Sequence, residues 1–197
     1  MKKLIAITGS DGCGKSTVIE ALSNQFPSSV VSDIWQPMYR ENTLFNSKHS
    51  VDNYLCELLP EARSLFLAHA ILESVQKQET NASDIHFINA YYYKYFATEL
   101  AYGVSSEKLQ DLIAWFPKPD LTIRLTVPLE VVAQRKKRFS RYESGGVIAP
   151  TVTDFVAFQQ KSIQQWDKIK NEKFVEISNE GPVEETLQLI YQAINRL

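Results

Sequence analysis

Residues 5–17 read IAITGSDGCGKST. Gly9, Gly14, Lys15 and Ser16 fit the spacing G-x-x-x-x-G-K-[ST] of a loop that holds a nucleotide's phosphates. The apolar run 4–7 before it has strand length, and residues 17–22 after it carry apolar side chains at helical spacing. Glycines let the backbone curl so that several N–H groups face one anion, and the following helix adds its positive end. Lys15 places a mobile cation near the β- and γ-phosphates, and the Ser16 hydroxyl suits Mg²⁺. Gly9, Ser10, Asp11, Gly12, Cys13, Gly14, Lys15, Ser16 and Thr17 are therefore the candidate nucleotide-binding residues, with Ser16 the candidate metal ligand.

The rest of the chain sets the frame for that loop. Its 197 residues suit one α/β domain over 1–197. Against 23 acidic residues stand 21 basic ones, a balance that suggests neither a nucleic-acid nor a membrane surface. No apolar run reaches membrane-spanning length, and the opening Lys-Lys followed by four apolar residues is too short for a signal peptide. Two cysteines, Cys13 and Cys56, make no disulfide framework or zinc pattern, which fits a cytoplasmic protein. Strands are expected at 4–8, 30–33, 85–89, 121–127 and 174–177. Helices are expected at 16–24, 58–79, 95–114, 129–138, 152–171 and 183–196. Alternating strands and helices argue for a parallel sheet covered on both faces. Residues 36–54 are polar and weakly periodic, and 140–151 contain Gly145-Gly146 and Pro150; both read as loops of the lid or substrate type.

Laid out this way, the chain resembles the thymidylate kinases, which are P-loop nucleoside monophosphate kinases. The resemblance rests on the glycine loop with its acidic Asp11, on Leu65-Phe66-Leu67-Ala68, on Pro119-Asp120-Leu121-Thr122-Ile123 followed by Val127-Pro128-Leu129-Glu130, and on Arg135, Arg138, Arg141, Tyr142 and Glu143. It implies a three-layer α/β P-loop kinase fold, a five-stranded parallel sheet flanked by helices with an arginine-bearing lid at about 136–150. It also implies ATP and Mg²⁺ as cofactors, small-molecule nucleotides as partners, and a homodimer packed through helices. The implied catalytic residues are Lys15, Arg138, Arg141 and Asp11, the last meeting the acceptor's sugar hydroxyl. Phe66 would stack on the acceptor base; Tyr91, Arg63 and Arg40 would join it in substrate binding. From the residues alone, Asp11 also reads as a solvated loop aspartate, Phe66 and the tyrosine run from Tyr91 as ordinary packing, and RKKRFSR as a solvated basic face. In helical geometry Arg135, Arg138 and Arg141 would share a broad face.

The departures from the family pattern fall on the acceptor side. Where the third strand typically ends Asp-Arg-Tyr, this chain has Asn89-Ala90-Tyr91. Asp-Arg on the acceptor helix is His69-Ala70, Arg-Glu-Pro after the second strand is Trp35-Gln36-Pro37, and the base-reading Tyr-Gln falls at Thr98-Glu99 without a gap, or at Ala101-Tyr102 with an insertion. A charge-assisted hydrogen bond to phosphate contributes roughly 1.5–3 kcal/mol, so two or three lost arginines would remove on the order of 3–9 kcal/mol unless other cations move in. Arg40, Arg63, Lys94 and His69 are the candidates. Three readings are open at this stage: ATP-dependent transfer to a nucleoside monophosphate, a kinase of another small acceptor, and an ATP-binding protein with little or no transfer.

Overall fold

The computed structural model describes residues 2–40, 45–169 and 174–197. Five strands, β1 (Lys3–Gly9), β2 (Ser29–Ser32), β3 (Ile85–Asn89), β4 (Leu121–Thr126) and β5 (Val175–Ser178), form one sheet in the order β2-β3-β1-β4-β5. Every neighbouring pair is parallel. Parallel neighbours need long crossovers, and helices supply them. These are α1 (Lys15–Gln25), α2 (Lys48–Glu57), α3 (Pro60–Gln76), α4 (Tyr91–Ala101), α5 (Ser106–Ile113), α6 (Leu129–Arg135), α7 (Val152–Ile163) and α8 (Val183–Ile194). Successive strand residues point to opposite faces, which splits the core in two. Ile5, Ile7, Phe87 and Ile123 pack with Val18 and Leu22 of α1 and Leu187 and Ile190 of α8. Ala6 and Ile88 face the other layer, with Leu67 and Ile71 of α3 and Tyr93 and Phe96 of α4. This is the three-layer P-loop kinase arrangement.

The strand order runs outward both ways from β1, so a crevice opens at the carboxyl ends of β1 and β3, where α/β sheets bind ligands. The register pairs Ile7 with Asn89, which brings the glycine loop and the end of β3 side by side.

All five expected strands form. The helices differ in four places. The polar stretch 36–54 holds one wide helical turn, Gln36–Arg40, and the start of α2. Its N-terminus is fixed by a capping box: the Ser47 hydroxyl accepts the Ser50 N–H at 3.2 Å and the Ser50 hydroxyl accepts that of Ser47 at 3.2 Å. The helix expected over 95–114 is two, α4 and α5, broken at Gly103 with φ of 98°. The helix expected over 129–138 stops at Arg135 because Lys136 turns extended, with ψ of 132°. The three lid arginines therefore do not share a helical face. The expected helix over 152–171 ends at Ile163 and is followed by a short 3₁₀ turn, Trp166–Lys168; its last two expected residues lie outside the described ones.

One buried polar cluster gives the fold a pH dependence. The Ser32 hydroxyl donates to the Ser74 carbonyl at 2.7 Å, so it accepts from Nε2–H of His86 at 2.6 Å. Burial, aided by Lys2, pushes His86 down to about 4. The unfolded chain takes up this proton near 6.5, before the native state does, so stability holds above pH 6.5 and falls as pH drops toward 4. The expected slope reaches about 1.4 kcal/mol per pH unit, read by denaturant melts from pH 7 to 4.5. His86→Asn should flatten this window; an unchanged slope would remove His86 as its cause.

Candidate active site

The glycine loop is built for positive φ. Gly9, Gly12 and Gly14 stand at 143°, 80° and 95°. A Cβ on Gly14 would also lie 2.3 Å from Nδ2 of Asn179. That asparagine, which opens the segment after β5, donates to the Cys13 carbonyl at 2.8 Å and accepts from the Thr186 hydroxyl at 2.8 Å. It pins the loop from 166 residues away in sequence, and no motif signalled it. The Cys13 side chain is buried in the core beneath the loop. Lys15 is buried as well, its Nζ donating to the carbonyls of Ser10 at 2.6 Å and Gly9 at 3.1 Å. Ser16 and Thr17 are exposed at the start of α1.

In front of the loop lies a cleft of about 330 Å³, lined by Asp11, Gly12, Gly14, Lys15, Ser16 and Thr17 from the loop side. Trp35, Lys48, Asn89, Ala90, Lys94, Tyr95, Arg135, Lys136 and Glu143 close its other walls. Asp11 pairs with Lys94 at 3.0 Å, and both are largely buried. Burial works against the Asp11 charge, yet Lys94, Lys15 and Lys136 hold this carboxyl below the usual carboxylate range. Burial lowers the Lys94 ammonium and Asp11 opposes it, leaving a net downward shift. Glu143 is raised by burial and by Asp11, against the pull of Lys136, whose Nζ lies 3.0 Å away. Gln159 ties the loop to this wall, accepting from Asp11 N–H at 3.2 Å and donating to the Glu143 carbonyl at 2.9 Å.

The end of β3 is strained. Ala90 and Tyr91 have φ of 69° and 53°, a region that costs non-glycine residues on the order of 1–3 kcal/mol each. Hydrogen bonds hold it: Ala90 N–H to the Ile7 carbonyl at 2.8 Å, and Thr8 hydroxyl to the Ala90 carbonyl at 2.8 Å. The bend leads into α4, and Ala90 before it and Lys94 in its first turn both line the cleft.

The other candidates sit elsewhere. Tyr91 is fully buried, its hydroxyl on the Pro117 carbonyl at 2.6 Å, while Tyr95 lines the cleft. Phe66 joins Phe45 and Tyr54 in an aromatic cluster, at 6.1 and 5.4 Å between ring centroids. Arg63 is buried against Glu99, with Nε 2.9 Å from both carboxylate oxygens and the guanidinium 4.0 Å above the Tyr102 ring. Tyr142 donates to the same carboxylate at 2.8 Å. His69 is exposed on α3, and the Arg40 side chain lies outside the described residues. Arg135 donates to the carbonyls of Asn179 and Glu180 at 2.9 and 2.7 Å. Arg138 is exposed, and Arg141 pairs with Glu57 of α2 at 3.0 Å. Of the four cations considered at the acceptor side, Lys94 lines the cleft; Lys48, which sequence reasoning passed over, lines it too, 4.6 Å above the Trp35 ring.

The model of the thymidylate kinase family matches residues 7–190. The chain belongs to the thymidylate kinase family. Its activity is ATP-dependent phosphoryl transfer to a nucleoside monophosphate, which makes it a transferase. Over 140 residues it is 28% identical to the probable thymidylate kinase 1 of Saccharolobus solfataricus, covering 70% of this chain and 71% of that one. Over 163 residues it is 26% identical to the thymidylate kinase of Prochlorococcus marinus strain MIT 9515, covering 74% and 77%. The solved thymidylate kinase of Candida albicans shares the fold with a TM-score of 0.70 at 20% identity, covering 99% of this chain and 92% of that one. A deoxyadenosine kinase of M. mycoides does so at 0.62 and 14% identity, covering 98% and 99%. No described helix of this kinase is long and apolar enough to cross a membrane.

Proposed function

We propose that this kinase takes the γ-phosphoryl group from Mg²⁺·ATP and passes it to a nucleoside monophosphate whose phosphate is received by Lys94 and Lys48. The Lys94–Asp11 pair carries the reading: a buried ammonium held at 3.0 Å by Asp11 lines the cleft together with Ala90, where the family typically places an arginine. Lys15 and the loop N–H groups hold the donor phosphates. Asp11 stays ionised, fixes the Lys94 ammonium and accepts the acceptor's sugar hydroxyl. Residues 136–150 act as the lid: Lys136 lines the cleft, Arg138 closes on the transferring group, and Arg141 anchors the segment on Glu57. The residues at the loop's edge fit Mg²⁺, because Ser16 offers an exposed hydroxyl and the Asn89 amide oxygen is buried without a hydrogen-bond partner among the described residues. When bound, the ion neutralises charge on the β- and γ-phosphates. On this reading the kinase works in the cytoplasm as a homodimer, on small-molecule nucleotides and without nucleic acid.

The test is ADP release from Mg²⁺·ATP across a panel of nucleoside monophosphates, dTMP first, with nucleosides and small alcohols as the contrast. Release that depends on a monophosphate is expected. Release driven by a nucleoside or alcohol alone would overturn the acceptor assignment, and ATP binding without transfer to any of them would overturn the enzyme reading.

A further inference from the structure

The third strand of this kinase ends in a neutral amide where the family typically carries a carboxylate near Mg²⁺, yet a carboxylate stands beside that amide. β2 and β3 run in parallel register up to Ser32 and Ile88, and Asp33 and Asn89 are the next residue on each, Asn89 still paired with Ile7 of β1. Nδ2 of Asn89 lies 3.3 Å from Oδ2 of Asp33 and 3.3 Å from the Ser16 hydroxyl. Asp33 is held in place by its other oxygen, which accepts the Trp35 N–H at 2.9 Å. Ser16, Asp33, Gln36 and Asn89 line one hollow of about 480 Å³, which meets the nucleotide cleft at Ser16 and Asn89. The Asn89 amide oxygen is buried with no hydrogen-bond partner among the described residues.

We propose that Asp33 supplies the protein-side negative charge for Mg²⁺, from the second strand, in place of the carboxylate missing at Asn89. Mg²⁺ prefers oxygen donors, keeps several of its waters, and is held by one or two carboxylates together with the substrate's phosphates. Ser16 and Asn89 offer only neutral oxygens. Asp33 is close enough to orient the Asn89 amide and to accept from a metal-bound water, the kind of outer contact that sets metal affinity. The charge has moved between adjacent strands, and the site keeps its balance. The inference rests on the Mg²⁺·ATP reading above.

Mn²⁺ is a paramagnetic probe for this site, and ADP avoids turnover. Electron paramagnetic resonance titrations of the full chain with ADP should show Asp33→Asn weakening Mn²⁺ binding by about 10–100-fold, with metal-free ADP affinity unchanged. Asn89→Asp alone should bind Mn²⁺ more tightly than the unsubstituted kinase. Asp33→Asn combined with Asn89→Asp should return affinity to near its starting value, because the charge is back on the third strand. Unchanged Mn²⁺ binding in Asp33→Asn, no tightening in Asn89→Asp, or a combined variant as weak as Asp33→Asn would each overturn the assignment. ADP that binds the unsubstituted kinase equally with and without Mn²⁺ would instead remove the metal-nucleotide reading beneath it.

Discussion

Replacing Lys15 by alanine is expected to lower kcat by at least about 10²–10³-fold, the typical loss of one preorganised electrostatic donor, while the fold stays intact. The Ser10 and Gly9 carbonyls accept from Nζ at 2.6 and 3.1 Å and hold the ammonium within the loop. In phosphoryl transfer, positioning and charge stabilisation are nearly all that a protein supplies. The side chain contributes little to the core, which in this layer is made by Val18, Ile19 and Leu22 of α1. Thermal melts without nucleotide should therefore stay close to those of the unsubstituted kinase. Lys15→Arg should not rescue turnover, because a planar guanidinium cannot occupy the compact site between two loop carbonyls. A kcat within a few-fold of the unsubstituted value in Lys15→Ala would overturn the donor-site assignment.

The donor half of the site was legible because its geometry is local. One stretch of strand, turn and helix fixes Gly9, Gly14, Lys15 and Ser16 relative to one another, so spacing alone places them. The sheet was legible for a related reason: the inner strands β1, β3 and β4 are largely buried and read as apolar runs, while the edge strands β2 and β5, more exposed, kept short apolar stretches. What failed to show depends on contacts distant in sequence. Asn179 pins the Cys13 carbonyl from just beyond β5, and nothing around Asn179 marks it as a loop partner. α2 was missed because only Val51, Asp52 and Leu55 are buried along it, too few to make a periodic signal; its one clear mark was the Ser47 and Ser50 cap. The lid arginines misled because equal spacing suggests a shared face only while a helix continues. Once Lys136 turns extended, Arg135 binds loop carbonyls and Arg141 reaches α2. The missing acceptor arginines were plain in the sequence, but their replacement was not. That required seeing that the strained Ala90–Tyr91 bend sets Lys94 in the cleft, while Arg63 is committed to Glu99.

Lys94→Met is expected to raise the KM for the nucleoside monophosphate by roughly 10- to 150-fold with the KM for ATP little changed, the equivalent of about 1.5–3 kcal/mol for one charge-assisted hydrogen bond to phosphate. Lys94 has a second task, however, because Asp11 lies 3.0 Å away and is largely buried. Removing one partner of such a pair leaves a buried charge uncompensated, a loss of about 3–5 kcal/mol when the pair is deep. Lys15 and Lys136 also act on Asp11, so the loss here should fall below that range. Stability and acceptor binding can be separated by neutralising both partners. Asp11→Asn with Lys94→Met should recover much of the melting temperature while the acceptor KM stays high. Recovery of the KM in that double variant would mean that Lys94 acts only by holding Asp11. The pH profile gives an independent reading. Burial lowers the Lys94 ammonium against the opposing pull of Asp11, so its charge is lost below the ordinary lysine value of 10.5 as pH rises. Acceptor kcat/KM should therefore fall on an alkaline limb that begins below that value, and this limb should be absent in Lys94→Met. An identical limb in both would assign it to another group and leave the acceptor phosphate without its proposed cation.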